Sequence, residues 1–247
     1  MSLRQHEIAE ANHRILNPFT DEKLMTLGMA CRLHPGQRLL DLACGKGEML
    51  CRWAHHFGIG GHGIDISHIF LEAARARANE LAVTSQVTFQ HGDAGKVSLE
   101  ANAFDIVSCI GATWIGGGLQ GTVEIMRPAL RDGGIVLAGE PYWISEPPPA
   151  AYQALGCKPD DFTSLPGTCD RLATGGVELV EMVLADQDSW DRYVAAQWWT
   201  VSDWLRANPD HPDASGMRAF LENGRRSYLE YNRQYLGWGV FVGRSLT

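Results

Sequence analysis

The chain of 247 residues, 45% hydrophobic and 20% charged, is long enough to bury one sizeable core and too apolar to be disordered. Lysine and arginine number 21 against 29 acids, a formal charge of −8 with no long basic block, which argues against a nucleic acid partner. The six cysteines form no CxxC pair and no apolar run approaches the roughly 20 residues of a membrane span, so a cytoplasmic protein without membrane contact is expected.

In chain order, Leu3 to Leu16 and Asp21 to Leu33 read as two helices broken at Asn17-Pro18, because proline disfavours the helical conformation in its predecessor. No apolar core of signal-peptide length interrupts the polar residues from Met1 to Asn17. Leu39 to Leu42 is a short apolar strand, Gly45 and Gly47 permit a tight turn, and Glu48 to Phe57 continues as a helix. Gly60 to Asp65 is a second strand. Ser67 caps a helix running to about Leu81, with Ile69, Ala73 and Ala76 expected toward the sheet. Val87 to Gln90 and Phe104 to Ile110 are strands three and four. A helix over Thr122 to Leu130, a turn at Asp132 to Gly134 and a fifth strand from Ile135 to Gly139 follow.

Beyond Pro141 the pattern loosens. Pro147 to Pro149 stiffen a connection, and Ala150 to Gly176 holds one helix near Thr168 to Thr174. Val177 to Leu184 reads as a sixth strand, Trp190 to Asn208 and Asp213 to Tyr235 as two long helices, and Gly237 to Arg244 as a last strand. Strands alternating with helices predict an α/β, Rossmann-like sheet, mostly parallel, with helices on both faces. The expected organisation is one domain over 1–247: N-terminal helices (1–34), a ligand-binding core (35–145), a variable part with a helical lid (146–236) and the last strand (237–247).

In an open parallel sheet a ligand lies beyond the carboxyl ends of the strands. The informative residues all fall there: Asp41 and the turn Ala43 to Gly47, then Asp65, Asp93, Gly111, and finally Glu140 with Tyr142. Asp65, about 20 residues beyond the turn, stands where a carboxylate accepts from ribose hydroxyls, which predicts a nucleoside ligand. A dinucleotide is disfavoured: its fingerprint needs a third glycine where Leu50 stands, and Asp41 would repel a pyrophosphate. An ammonium-bearing ligand suits that acid better.

These segments resemble the class I S-adenosylmethionine-dependent methyltransferases. LLDLACGKG is similar to the family's motif I, GIDIS to the acidic second motif, HGDA to the third, FDIVSCIGATW to the fourth, and LRDGGIVLAGEP to the signature around strand five. They span Leu39 to Pro141 in the family's order. Ala43 departs from the pattern, which usually has glycine there. The resemblance implies seven strands in the order 3-2-1-4-5-7-6 with the last antiparallel. It also implies that Asp41 and the turn Ala43, Cys44, Gly45 and Gly47 hold the methionine part of S-adenosylmethionine. Asp65 would take the ribose and Ile66 one adenine face; Asp93 and the Ala94 N–H would take the adenine edge. Ile110 and Gly111 would line the methionine side near the methyl, and the N-terminal helices would lie across the mouth. The product would be S-adenosylhomocysteine.

Methyl transfer is an in-line displacement that asks chiefly for alignment and exclusion of water, so no fixed catalytic set is expected. Glu140, Tyr142, His6 and His13 are the candidate bases, each with a structural reading beside it. His55, His56, His62, His68 and His91 lack a metal-ligand spacing, and no metal is expected. Cys44 reads as a small filler rather than a nucleophile. Trp114, Tyr142 and Tyr193 are candidate contacts to a small-molecule acceptor, with Trp190, Val194, Trp198, Val201 and Leu205 forming the packing stripe of the lid. Two other readings stand beside the enzyme: a binding module or partner subunit that keeps the pocket without transfer, and an NAD-dependent oxidoreductase.

Overall fold

The computed structural model describes Ser2 to Leu246; Met1 and Thr247, the outer ends of the expected domain, lie outside the described residues. The strands are β1 (Arg38–Leu42), β2 (Gly60–Asp65), β3 (Val87–His91), β4 (Phe104–Ile110), β5 (Leu130–Trp143), β6 (Val177–Leu184) and β7 (Leu236–Ser245). They form one sheet in the order β3-β2-β1-β4-β5-β7-β6. The first five are parallel, and β7 runs antiparallel to both β5 and β6, as the resemblance implied.

Alternate residues of the short apolar strands point to opposite faces, and both faces are buried. Leu39 packs with Leu24, Leu27 and Trp53, so that α2 (Asp21–Ala30) and α3 (Glu48–Phe57), followed by α4 (His68–Glu80), cover one side. Leu40 and Leu42 pack with Leu119, Val123 and Leu172, which brings α5 (Leu119–Met126) and α7 (Leu165–Thr174) to the other. A third, smaller cluster joins Ile8 of α1 (Leu3–Ala9) to Val201 of α8 (Gln187–Ala207) and to Met217 and Leu221 of α9 (Ala214–Ser227). The inserted helices and the N-terminal helix therefore form a layer of their own. Among the described residues no helix is long and apolar enough to cross a membrane.

Several boundaries differ from the sequence reading, each for a local reason. The first helix stops at Ala9 instead of Leu16, because the carbonyls of Glu10, Ala11 and His13 turn to the Lys46 ammonium at 2.7, 2.9 and 2.7 Å. The second ends at Ala30, and Arg32 takes a positive φ of 53°. On α4 the buried face is Phe70, Leu71, Ala74 and Ala78, while Ile69 is 46% exposed; the larger Phe70 ring takes the inner place, edge-on to His6. Asp132 to Gly134 lies within a longer β5, where the register with β4 shifts between Phe104 and Ile106. The helix predicted over Thr122 to Leu130 is shifted toward the N-terminus. A helix α6 (Pro149–Leu155) stands in the stretch read as loose, started by proline in its first turn. The second lid helix is not continuous to Tyr235: α9 passes into a π-helical turn, Tyr228–Asn232, and one last turn α10 (Arg233–Tyr235).

Candidate active site

The β1–α3 turn is built at its carboxyl edge from residues with left-handed backbone. Ala43 sits at φ 59°, Gly45 at 55° and Gly47 at 64°. Only glycine holds such angles without strain, which is why the family favours it at position 43 and why alanine there costs about 1 kcal/mol. The Leu16 side chain covers Gly45 so closely that a Cβ would collide with it. The packing also accounts for Leu50. Where a dinucleotide site has glycine on the helix to approach the strand, here Gly61 on β2 leaves the room and Leu50 fills it.

Two acids stand around this turn. Asp41, 4% exposed, accepts 2.7 Å from the Ser108 hydroxyl, and burial pushes its carboxyl up to about 7 against that hydrogen bond, the nearby Asp65 charge adding to the rise. Asp65 accepts from the Gly45 N–H (2.8 Å) and the Ser67 N–H (2.8 Å); burial still raises it above the ordinary carboxylate range. Two carboxyls made costly to ionise in one cleft are relieved by a cation placed between them. Ile66, next along the chain, is 52% exposed, and behind it His91 Nε2 donates to the Ile66 carbonyl (3.0 Å) while the ring stacks on His68 at 3.7 Å.

The other edge is less uniform. Asp93 is bound in its own turn, accepting from the Gly95 N–H and pairing with Lys96 at 2.8 Å, which holds it below its usual range. Ala94 is buried beside it. Ile110 ends β4, and Gly111 follows with φ 79° and open space where a Cβ would stand. Trp114, in the next turn, is 73% exposed. Glu140 is 1% exposed; it accepts from the Thr113 hydroxyl at 2.9 Å, and its second oxygen has no partner. Burial carries its carboxyl up to about 7, Thr113 opposing. Tyr142, 8% exposed, presses its ring on Gly237 within the core cluster of the α5 face. The Cys44 thiol is driven well above its usual range by burial and the Asp41 charge and stays protonated.

The segment expected as helix across the mouth crosses this cleft instead as a non-helical strap. Residues 10–17 lie between the turn and α8, held to the turn by Lys46, while α1 just before them is tied to the start of α4 by the Ser67 hydroxyl donating to Glu7 at 2.8 Å. Glu10, fully buried, accepts from the Tyr193 hydroxyl (2.5 Å) and the Gln197 amide (2.6 Å) of α8. His13 Nδ1 stands 3.0 Å from the other Glu10 oxygen, off the line a hydrogen bond needs. Burial works to raise the Glu10 carboxyl, but His13 and Tyr193 hold it below its ordinary value. Tyr193 thus meets the strap, and His6, kept neutral by burial, stands where it feels the Asp65 charge. Glu10 carried no signal, being one acid in an apparently regular helix; Lys46, lying between two turn glycines, was the available clue.

Open space above Gly111, a turn of exposed backbone N–H groups and two acids suited to a cationic nucleoside fit S-adenosylmethionine. Residues 33–195 match the methyltransferase domain family, and the chain belongs to it. It is a class I S-adenosylmethionine-dependent methyltransferase, with that molecule as its cofactor. It is 49% identical over 238 residues to the uncharacterized protein YjhP of Escherichia coli (strain K12), covering 95% of each chain. The crystal structure of a methyltransferase from Geobacter sulfurreducens in complex with S-adenosyl-L-homocysteine superposes with a TM-score of 0.93 at 49% identity, over 99% of this chain and 98% of that one. A Thiobacillus denitrificans methyltransferase in complex with the same molecule gives 0.93 at 47%, over 99% of each.

Proposed function

We propose that this methyltransferase acts on a small molecule by in-line displacement, with the cofactor held by the Asp41–Gly47 turn, Asp65 and Ile66. The observation that carries the binding assignment is the pair of buried, mutually repelling acids Asp41 and Asp65 around a turn of left-handed backbone. S-adenosylmethionine supplies a methyl group activated by its sulfonium charge. Asp41 faces the ammonium end and is held in place by Ser108; Asp65 keeps its outer lone pairs for the ribose while fixing Gly45 and Ser67 from within. Ile66 offers an apolar face to the adenine, and Asp93 with Ala94 the adenine edge. Ile110 and Gly111 line the methionine side. The strap and α8 exclude water from the cleft, so that alignment rather than acid–base chemistry is the chief service. One domain over the whole chain serves both ligands, and the lack of a long basic block supports a small acceptor over nucleic acid.

The test is calorimetric titration with S-adenosylmethionine, S-adenosylhomocysteine and NAD, followed by transfer of a labelled methyl group to oxygen, nitrogen and sulfur acceptors. Micromolar binding of the two sulfur ligands and none of NAD is expected. Asp65→Ala should weaken both by about a hundredfold, since it removes charge-assisted hydrogen bonds and frees the turn. Unchanged affinity in that variant would refute the ribose assignment. Sulfur-ligand binding without turnover on any acceptor class would favour the binding-module reading.

A further inference from the structure

A cavity of about 690 Å3 opens between α1, α6, α8, α9 and the π-helical turn. Its walls are aromatic, with Trp190, Tyr193, Trp198, Phe220 and Tyr228 among them. The rings are arranged around the space rather than stacked into it: Trp198 meets Tyr228 edge-on at 5.9 Å, and Trp190 is tilted to it at 6.5 Å. Among the described residues that line the cavity, Glu10 is the one carboxylate and there is no lysine or arginine. His6 lines it too, and its burial keeps the ring uncharged.

Glu10 is held ionised by polar partners, and none of them on the cavity wall is a lysine or arginine. One oxygen takes Tyr193 and Gln197, the other has only His13 at a poor angle, and the Lys46 ammonium nearby is occupied by three strap carbonyls. An ionised carboxylate in the wall of a cavity ringed by π-faces and without lysine or arginine attracts a cation and rejects an anion. Resting on the methyltransferase reading above, we propose that this cavity holds the methyl acceptor and selects one bearing a positively charged nitrogen, an amine, with Glu10 as its counter-charge and the aromatic walls around it. His6 lines this cavity and sets its ring edge-on to Phe70 of α4, the helix that follows Asp65. Behind the wall stand Arg225, with Cζ 5.5 Å from the Trp198 ring centroid, and Arg233, which is paired with Asp191 beside the Tyr228 hydroxyl.

The experiment is calorimetry on the full chain, first with S-adenosylhomocysteine, then on the saturated protein with benzyltrimethylammonium, benzyl alcohol and phenylacetate. The cation should bind about tenfold tighter than the alcohol, and phenylacetate weakest. Glu10→Gln, which keeps an acceptor for Tyr193, should remove that preference while S-adenosylhomocysteine still binds. Asn223→Lys changes an exposed wall residue, and should weaken the cation and admit phenylacetate. Phenylacetate binding as well as the cation in the wild type would show that Arg225 sets the sign and overturn the proposal. So would an unchanged preference in both variants, or no binding of any of the three probes. If S-adenosylhomocysteine itself gives no heat, the cofactor reading falls and this one with it; if it binds and the cation is not preferred, this one falls alone.

Discussion

At the scale of single residues the cofactor cleft is a problem in charge. Asp41 is fully enclosed and its carboxyl is pushed up to about 7, so near neutral pH the free protein holds it partly protonated. A ligand with positive charge favours the ionised form, and affinity for S-adenosylmethionine should therefore rise as pH goes from about 6 to about 8 and level off above. The same shift acts on folding in the opposite sense. Native Asp41 keeps a proton that the unfolded chain has released above its ordinary 3.8, so its share of stability is lost as pH rises from about 4 to about 7. Asp41→Asn should flatten both profiles and weaken binding by about tenfold at pH 8. Calorimetry in buffers of different ionisation enthalpy checks the proton release; an Asn variant with the wild-type pH profile would rule Asp41 out as its source. These acids were legible because a strand that ends in aspartate before a glycine turn has few other uses. Glu10 was not, for its meaning comes from Tyr193 and Gln197, more than 180 residues away.

At the scale of elements the strap is the piece that sequence periodicity misplaces. Ala11 to Leu16 is compatible with helix by propensity, yet three carbonyls satisfied by one ammonium outweigh the intrahelical bonds they forgo. Likewise Asp132 to Gly134 reads as a turn, and pairing with β4 draws it into β5 as an irregular stretch of strand. Where the pattern is strictly local, as in Glu48 to Phe57 and Gly60 to Asp65, the predicted and observed bounds coincide. Lys46→Met keeps the side-chain volume and removes the ammonium. It should free residues 10–17, raising tryptic cleavage after Arg14 and amide exchange across the strap, while the sheet, whose core the strap touches only at its end through Ile15, keeps its thermal midpoint within a few degrees. Protection of the strap equal to wild type would mean that Leu16 on Gly45 and the Glu10 contacts suffice to hold it.

At the scale of the whole molecule the resemblance carried by five motif segments implied the sheet order, and the N-terminal and inserted helices were expected as a lid; that α1, α8 and α9 would share a core of their own was not legible, since amphipathic helices do not say which surface they will cover. That layer and the sheet meet at the strap, and in the arrangement proposed above the strap has a ligand on each side. A single gate shared by two chambers puts traffic in order: the occupant lodged deeper arrives first and departs last. Initial-rate kinetics should accordingly show a compulsory sequence, with S-adenosylhomocysteine competing against S-adenosylmethionine but not against the acceptor. Turnover would be paced by opening of the gate rather than by displacement at carbon, so the strap variant should turn over faster at saturation. A random-order pattern, or a slower Lys46→Met enzyme at saturating substrates, would instead mean that the chambers fill and empty by separate routes.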